Sequence, residues 1–176
     1  MITRENIIDF ILDEEGGLVD NPADPGGRTN HGITQRYLDA ARLRHPELSL
    51  PMKVDDLQAP LAAWVYRLDQ WSEIQGEALP PGLAVLVMDC AVNSGVSEAV
   101  RLLQETLGIH ADGIMGPSTI YAVHSAQHPI QLTIDDYAAH RGSFYAKLDP
   151  NENTFELGWM RRLMRAHRLA VQASTP

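Results

Sequence analysis

The sequence predicts an all-α protein built in two lobes, with at most a small β-hairpin near residues 18–33. Three observations carry that expectation. Apolar residues recur at helical spacing in nearly every segment between turn signals. Strand signals are confined to Leu18–Val19 and Thr29–Ile33. Leu83 to Val92 is apolar almost all round, as a helix enclosed by other helices would be.

Each element follows in order. Residues 4–15 carry Ile7, Ile8, Phe10, Ile11 and Leu12 on one side and Glu5, Asp9 and Asp13 opposite, an amphipathic helix with Thr3 as its N-cap. Gly16-Gly17 ends it, since glycine adopts the left-handed conformation of a helix stop. The run Asp20-Asn21-Pro22-Ala23-Asp24-Pro25-Gly26-Gly27 is a loop by composition. A second helix runs from Thr34 to about Leu43, and Pro46 to Pro51 is a connection. A third covers roughly 56–70, starting near Asp55-Asp56 and exposing Trp64 and Trp71 near its end. Pro80-Pro81-Gly82 is a boundary, and the Leu83–Val92 helix behind it is broken by Ser94-Gly95. Val96 to Leu107 is amphipathic and stops at Gly108; Asp112-Gly113 is a turn; Gly116-Pro117-Ser118-Thr119 opens a helix with proline in its first turn. Ile130–Lys147 and Asn153–Gln172 are two long helices, the second with a capping-box pair, Asn153 and Glu156.

Composition excludes several function classes. The 176 residues are 44% hydrophobic, enough for a core, with a mean hydropathy of -0.19. No apolar run approaches the roughly 20 residues of a membrane helix, so no membrane insertion is expected. The start Met1-Ile2-Thr3-Arg4-Glu5-Asn6 lacks the basic and apolar regions of a signal peptide. Fourteen basic residues against 23 acidic ones give a net charge of -9, which argues against nucleic acid as a partner. One cysteine, Cys90, excludes a disulfide framework, and its apolar surroundings mark it as a buried, inert thiol. His124 and His128 are spaced to share a helix face but lack the glutamate of a metalloprotease motif, so no metal site is expected.

The carboxylates at the end of the first helix remain. Glu15 sits where the helix dipole is negative and the carbonyls are unpaired, and a helical wheel puts it on the apolar side one turn after Ile11. Both effects would raise its pKa, as a general acid requires. Glu14 falls on the other edge of the same stripe, so the residues alone leave the two open.

The run from Glu15-Gly16-Gly17 through Asp24-Pro25-Gly26-Gly27-Arg28-Thr29-Asn30-His31-Gly32-Ile33-Thr34 resembles the opening motif of glycoside hydrolase family 108, the lysozyme-like muramidases of phage endolysins and bacterial secretion activators. Asp89-Cys90-Ala91-Val92-Asn93-Ser94-Gly95, Leu102-Leu103-Gln104 and Asp112 to Thr119 resemble the predicted peptidoglycan-binding domain that follows in that family, and Phe155, Gly158, Trp159 and Arg162 fit its ending. The resemblance implies a two-lobed lysozyme-like fold, with a catalytic region at 1–80 and a peptidoglycan-binding-like region at 81–176 sharing its core. It implies hydrolysis of the β-1,4 bond between N-acetylmuramic acid and N-acetylglucosamine, with Glu15 as the acid. Asp24, nine residues on, and Thr29 are similar in order and spacing to the pair that holds the attacking water in phage-type lysozymes; Asp20 is the next candidate. His31 and Gly32 belong to the sugar-contacting loop. Asn93 either hydrogen-bonds an N-acetyl group or caps its helix. Two alternatives stay open: a lytic transglycosylase using the same acid, and a non-catalytic wall-binding or secretion-assisting protein. The implied partner is the peptidoglycan glycan strand, with no cofactor. The protein is expected to be a monomer, cytoplasmic until a holin or a dedicated secretion route releases it to the cell wall.

Overall fold

In the computed structural model the chain forms two compact units, one of Ile8–Asp69 and one of Met1–Ile7 with Gln70–Pro176. The structure describes residues 2–20, 27–125, 127–148 and 153–175, the last stretch with side chains from 157 onward. Among the described residues there are eight α-helices and one small sheet, so the all-α expectation holds.

The unit Ile8–Asp69 begins within α1 (Arg4–Glu15), whose Ile8 and Ile11 are buried. Gly16, at φ +69°, stops the helix, its N–H bonding the Leu12 carbonyl at 3.0 Å. Three two-residue strands follow: β1 (Leu18–Val19), β2 (Thr29–Asn30) and β3 (Ile33–Thr34). They form an antiparallel sheet with Leu18 opposite Asn30 and Asn30 opposite Ile33. The expected single hairpin is therefore a three-stranded sheet, because a second tight turn at His31-Gly32 doubles the chain back. Buried Asn30 donates its amide to the Val54 and Leu57 carbonyls, each at 3.0 Å, and so ties the sheet to the following loop. Thr34 caps α2 (Gln35–Arg44) by accepting the Tyr37 N–H at 3.1 Å.

The helix expected over 56–70 starts later. Val54–Asp56 is a separate 3₁₀ turn, and α3 (Ala59–Tyr66) opens with Pro60 in its first turn, where a missing N–H costs nothing. It runs on as a π-helical turn, Arg67–Trp71. Trp64 is exposed, with the Arg67 guanidinium 4.6 Å above its ring. Trp71, expected to be exposed, is buried against Gly76, where an added Cβ would lie 2.5 Å from its ring.

The second unit is built on α4 (Pro81–Ser94), with every residue from Gly82 to Ala91 buried, Cys90 included. It packs against α5 (Val96–Thr106), α7 (Ile130–Tyr145) and α8 (Asn153–Ala173). Between α5 and α6 (Pro117–Ser125), the Asp112-Gly113 turn is organised by buried Gln104. Its amide nitrogen reaches Asp112 at 2.7 Å and Thr119 at 3.0 Å, and its oxygen accepts the Gly113 N–H at 2.8 Å. His124 lies in α6 and His128 beyond its end, so they share no helix face. The proposed capping pair Asn153 and Glu156, and the Phe155 ring, lie outside the described side chains.

Candidate active site

Glu15 is the last residue of α1. It is half-buried, and so is Glu14, so exposure does not separate the two. Gly32 separates them. His31 and Gly32 form the two-residue turn between β2 and β3, both at positive φ, +51° and +74°. That is the backbone of a hairpin whose twist suits its strands. An added Cβ at Gly32 would lie 2.7 Å from Glu15 Cδ and 2.6 Å from the Tyr66 hydroxyl oxygen, and it would overlap Glu15 Oε2. The turn leaves no room for a methyl group beside this carboxyl. No glycine of the described residues stands in that relation to Glu14.

Tyr66 closes the arrangement. It lies on the buried face of α3 with Ala62 and Val65, and its hydroxyl donates to the His31 carbonyl at 2.7 Å. That bond pins the turn against the end of α1. Tyr66 carried no sequence signal beyond a place on an apolar helix face, where a phenol needs a polar partner. Asp69, in the π-helical turn that continues α3, ties that helix to α2. It accepts from the Tyr37 hydroxyl at 2.7 Å and from the Arg44 guanidinium at 2.6 Å, and it meets His45 Nε2 at 2.7 Å. Burial alone would raise the Asp69 pKa; the hydrogen bonds from Arg44, His45 and Tyr37 outweigh it and hold the carboxyl below its ordinary value.

The other expected residues fall as follows. Thr29, half-buried, pairs with Val19 and Thr34 on the sheet that carries the His31-Gly32 turn. Asp20 is exposed, 3.9 Å from Arg28. Asp24 lies outside the described residues. Asn93 is in the second unit, in the last turn of α4. It is not the helix cap, which is Gly95 at φ +90°; its amide oxygen accepts the Tyr145 hydroxyl at 2.8 Å. A mainly apolar cavity of about 770 Å³ in that unit, between Pro80-Pro81 and the end of α8, contains none of these residues.

Residues 8–95 match the family model described as Glycosyl hydrolase 108, which takes in Glu15, Thr29, His31, Gly32 and Asn93. The chain belongs to glycosyl hydrolase family 108. Residues 98–164 match the model described as Predicted Peptidoglycan domain, so this family 108 protein pairs a glycosidase region with a peptidoglycan-binding one. The solved structure of SagA from Brucella abortus is 30% identical, with a TM-score of 0.83, and the match covers 98% of this chain and 95% of that chain. No curated protein matches. Membership and domain content make the protein a peptidoglycan hydrolase with a lysozyme-like, all-α fold.

Proposed function

We propose that this family 108 hydrolase is an N-acetylmuramidase that cuts the β-1,4 bond between N-acetylmuramic acid and N-acetylglucosamine, with Glu15 as the general acid. The observation that supports Glu15 over Glu14 is the side-chain-free turn at Gly32, which confines one carboxyl and not the other. In the reaction the Glu15 carboxyl gives its proton to the glycosidic oxygen as that oxygen leaves the muramic acid carbon. A water oriented by Thr29 attacks that carbon, and Asp24 takes the proton the water loses. Oxygen leaves as a hydroxyl on one sugar and arrives as a hydroxyl on the other, giving a new reducing end. His31 and Gly32 line the sugar path beside the acid, and Asn93 binds an N-acetyl group.

Zymography on purified peptidoglycan tests this. Glu15→Gln keeps the side-chain shape but has no proton to give, so activity should fall about 10²–10⁴-fold. Glu14→Gln should clear the gel as wild type does; the reverse pattern moves the assignment to Glu14. Product ends test the bond: reducing muramic acid ends fit hydrolysis, whereas 1,6-anhydro ends show that the substrate's own 6-hydroxyl attacked. Asp24→Asn should lower turnover at least ~10²-fold if Asp24 takes the proton. Activity within a few-fold of wild type makes Asp24 a turn residue and leaves Glu15 as the one essential carboxylate.

A further inference from the structure

Helix α8 has a second face besides the one that packs on α4 and α7. Leu163, Ala166 and Ala170 are buried in the core, and Arg162 turns inward to Asp89 at 2.7 Å. Leu157, Arg161, Met164, Arg168 and Val171 follow one another at alternating steps of four and three residues. At 3.6 residues per turn that rhythm puts all five on one side of the helix, in a line about 21 Å long. All five are exposed, the apolar three by 60%, 49% and 37% in chain order. A single exposed leucine is ordinary; three large apolar side chains in line, with guanidinium groups between them, mark a contact surface. The charge of the stripe is uncompensated. From Leu157 onward the sequence has four arginines and no acid, in a chain whose net charge is -9. Among the described residues Arg161 and Arg168 have no hydrogen-bond or ion-pair partner, and Asp135 of α7 is engaged by His167 Nε2 at 2.6 Å.

Charge complementarity makes the partner of this stripe anionic. A second copy of the chain would bring the same arginines against these, so pairing α8 with itself sets like charges together. An interfacial helix buries a broad apolar face in lipid, whereas here the apolar groups are single side chains interleaved with charge. The peptidoglycan-binding match spans residues 98–164 and so takes in Leu157, Arg161 and Met164. In intact peptidoglycan the lactyl carboxyl is tied up in the amide bond to the stem peptide. The N-acetylated sugars are therefore uncharged, and the free carboxylates sit on the peptides. We propose that the α8 stripe is the surface by which this unit holds the wall, with Arg161 and Arg168 on stem-peptide carboxylates. Leu157, Met164 and Val171 then cover the apolar parts of the same peptides. The inference rests on the peptidoglycan-binding match, not on which bond is cut or which glutamate cuts it.

Co-sedimentation of the full chain with purified peptidoglycan, at low and at high salt, measures the contact. Wild type should bind, and salt should weaken the binding. Combining Arg161→Glu with Arg168→Glu should weaken it about tenfold at low salt and remove most of the salt dependence, since two ion pairs become two repulsions. Met164→Ala should weaken it about threefold and leave the salt dependence intact, because it removes apolar contact alone. Both variants should melt with wild type, since the substituted side chains are exposed. Peptidoglycan whose carboxyls have been converted to amides should bind wild type no better than untreated material binds the double variant. Equal binding of amidated and untreated peptidoglycan would overturn the proposal, as would a double variant that binds like wild type. Phosphatidylglycerol vesicles are the second probe. A double variant that loses vesicle binding but keeps peptidoglycan binding would assign the stripe to a membrane surface and overturn the proposal equally. Failure of the muramidase reading shows separately, in the chemistry of the product ends.

Discussion

A methyl group at residue 32 is enough to test how tightly Glu15 is held. Gly32→Ala would place Cβ against the Glu15 carboxyl and the Tyr66 hydroxyl, at a φ of +74° that L residues rarely adopt. Backbone strain of this kind costs on the order of 1–3 kcal/mol, so a melting temperature a few degrees lower is expected. With Glu15 as the proposed acid, turnover should suffer more: displacing the carboxyl by about 1 Å costs on the order of 10²-fold. A variant that melts low yet cleaves at the wild-type rate would show that the carboxyl has room to move. The neighbourhood of Glu15 and Gly32 is legible in the sequence because both lie in one contiguous motif with Thr29 and His31. Tyr66 is not, because its bond to the His31 carbonyl spans 35 residues and leaves no mark on periodicity.

At the scale of elements, Asp69 joins α2 to the π-helical continuation of α3 through Tyr37 in the first turn of α2 and Arg44 and His45 at its end. Its carboxyl titrates below its ordinary value in the folded protein, so folding favours the ionised form. The contribution is complete above the unfolded carboxylate pKa of about 3.9 and is lost as pH falls through the lower folded value. Asp69→Asn should therefore lower the melting temperature at pH 7 and differ less from wild type near pH 3. An equal deficit at both pH values would mean that packing, not charge, is what Asp69 supplies. Sequence patterning reads helices well where one face is apolar, as in α4 and α5. It misread the third helix for physical reasons. Pro60 moved the start, and the π-helical turn after Tyr66 broke the 3.6-residue register, so Trp71 turned inward and an aspartate was buried where periodicity predicts neither.

At the scale of the molecule, the helical unit holds three helices together with one buried carboxylate. Asp89 of α4 meets Arg141 of α7 and Arg162 of α8, each at 2.7 Å. Removing the carboxylate leaves two buried guanidinium groups without it, a change that costs about 3–5 kcal/mol. For a chain of this size Asp89→Asn should then melt about 10 °C lower, by calorimetry; a shift under about 2 °C would show that water reaches the pair. The sequence placed α4 at a core through its apolar run, but nothing in that run announced an ion pair. The division into units has one more consequence. Ile8–Asp69 lies in the chain between Met1–Ile7 and Gln70–Pro176, which belong together. On the ribosome the glutamate-bearing unit is made in full before α4 exists. Ile7, 2% exposed in the finished protein, waits through that synthesis for its own unit to appear. Arg162 arrives with α8, after both Asp89 and Arg141, the two groups it joins in one ion-paired cluster. Synthesis order therefore leaves the unit that carries Asn93 incomplete until α8 has left the ribosome.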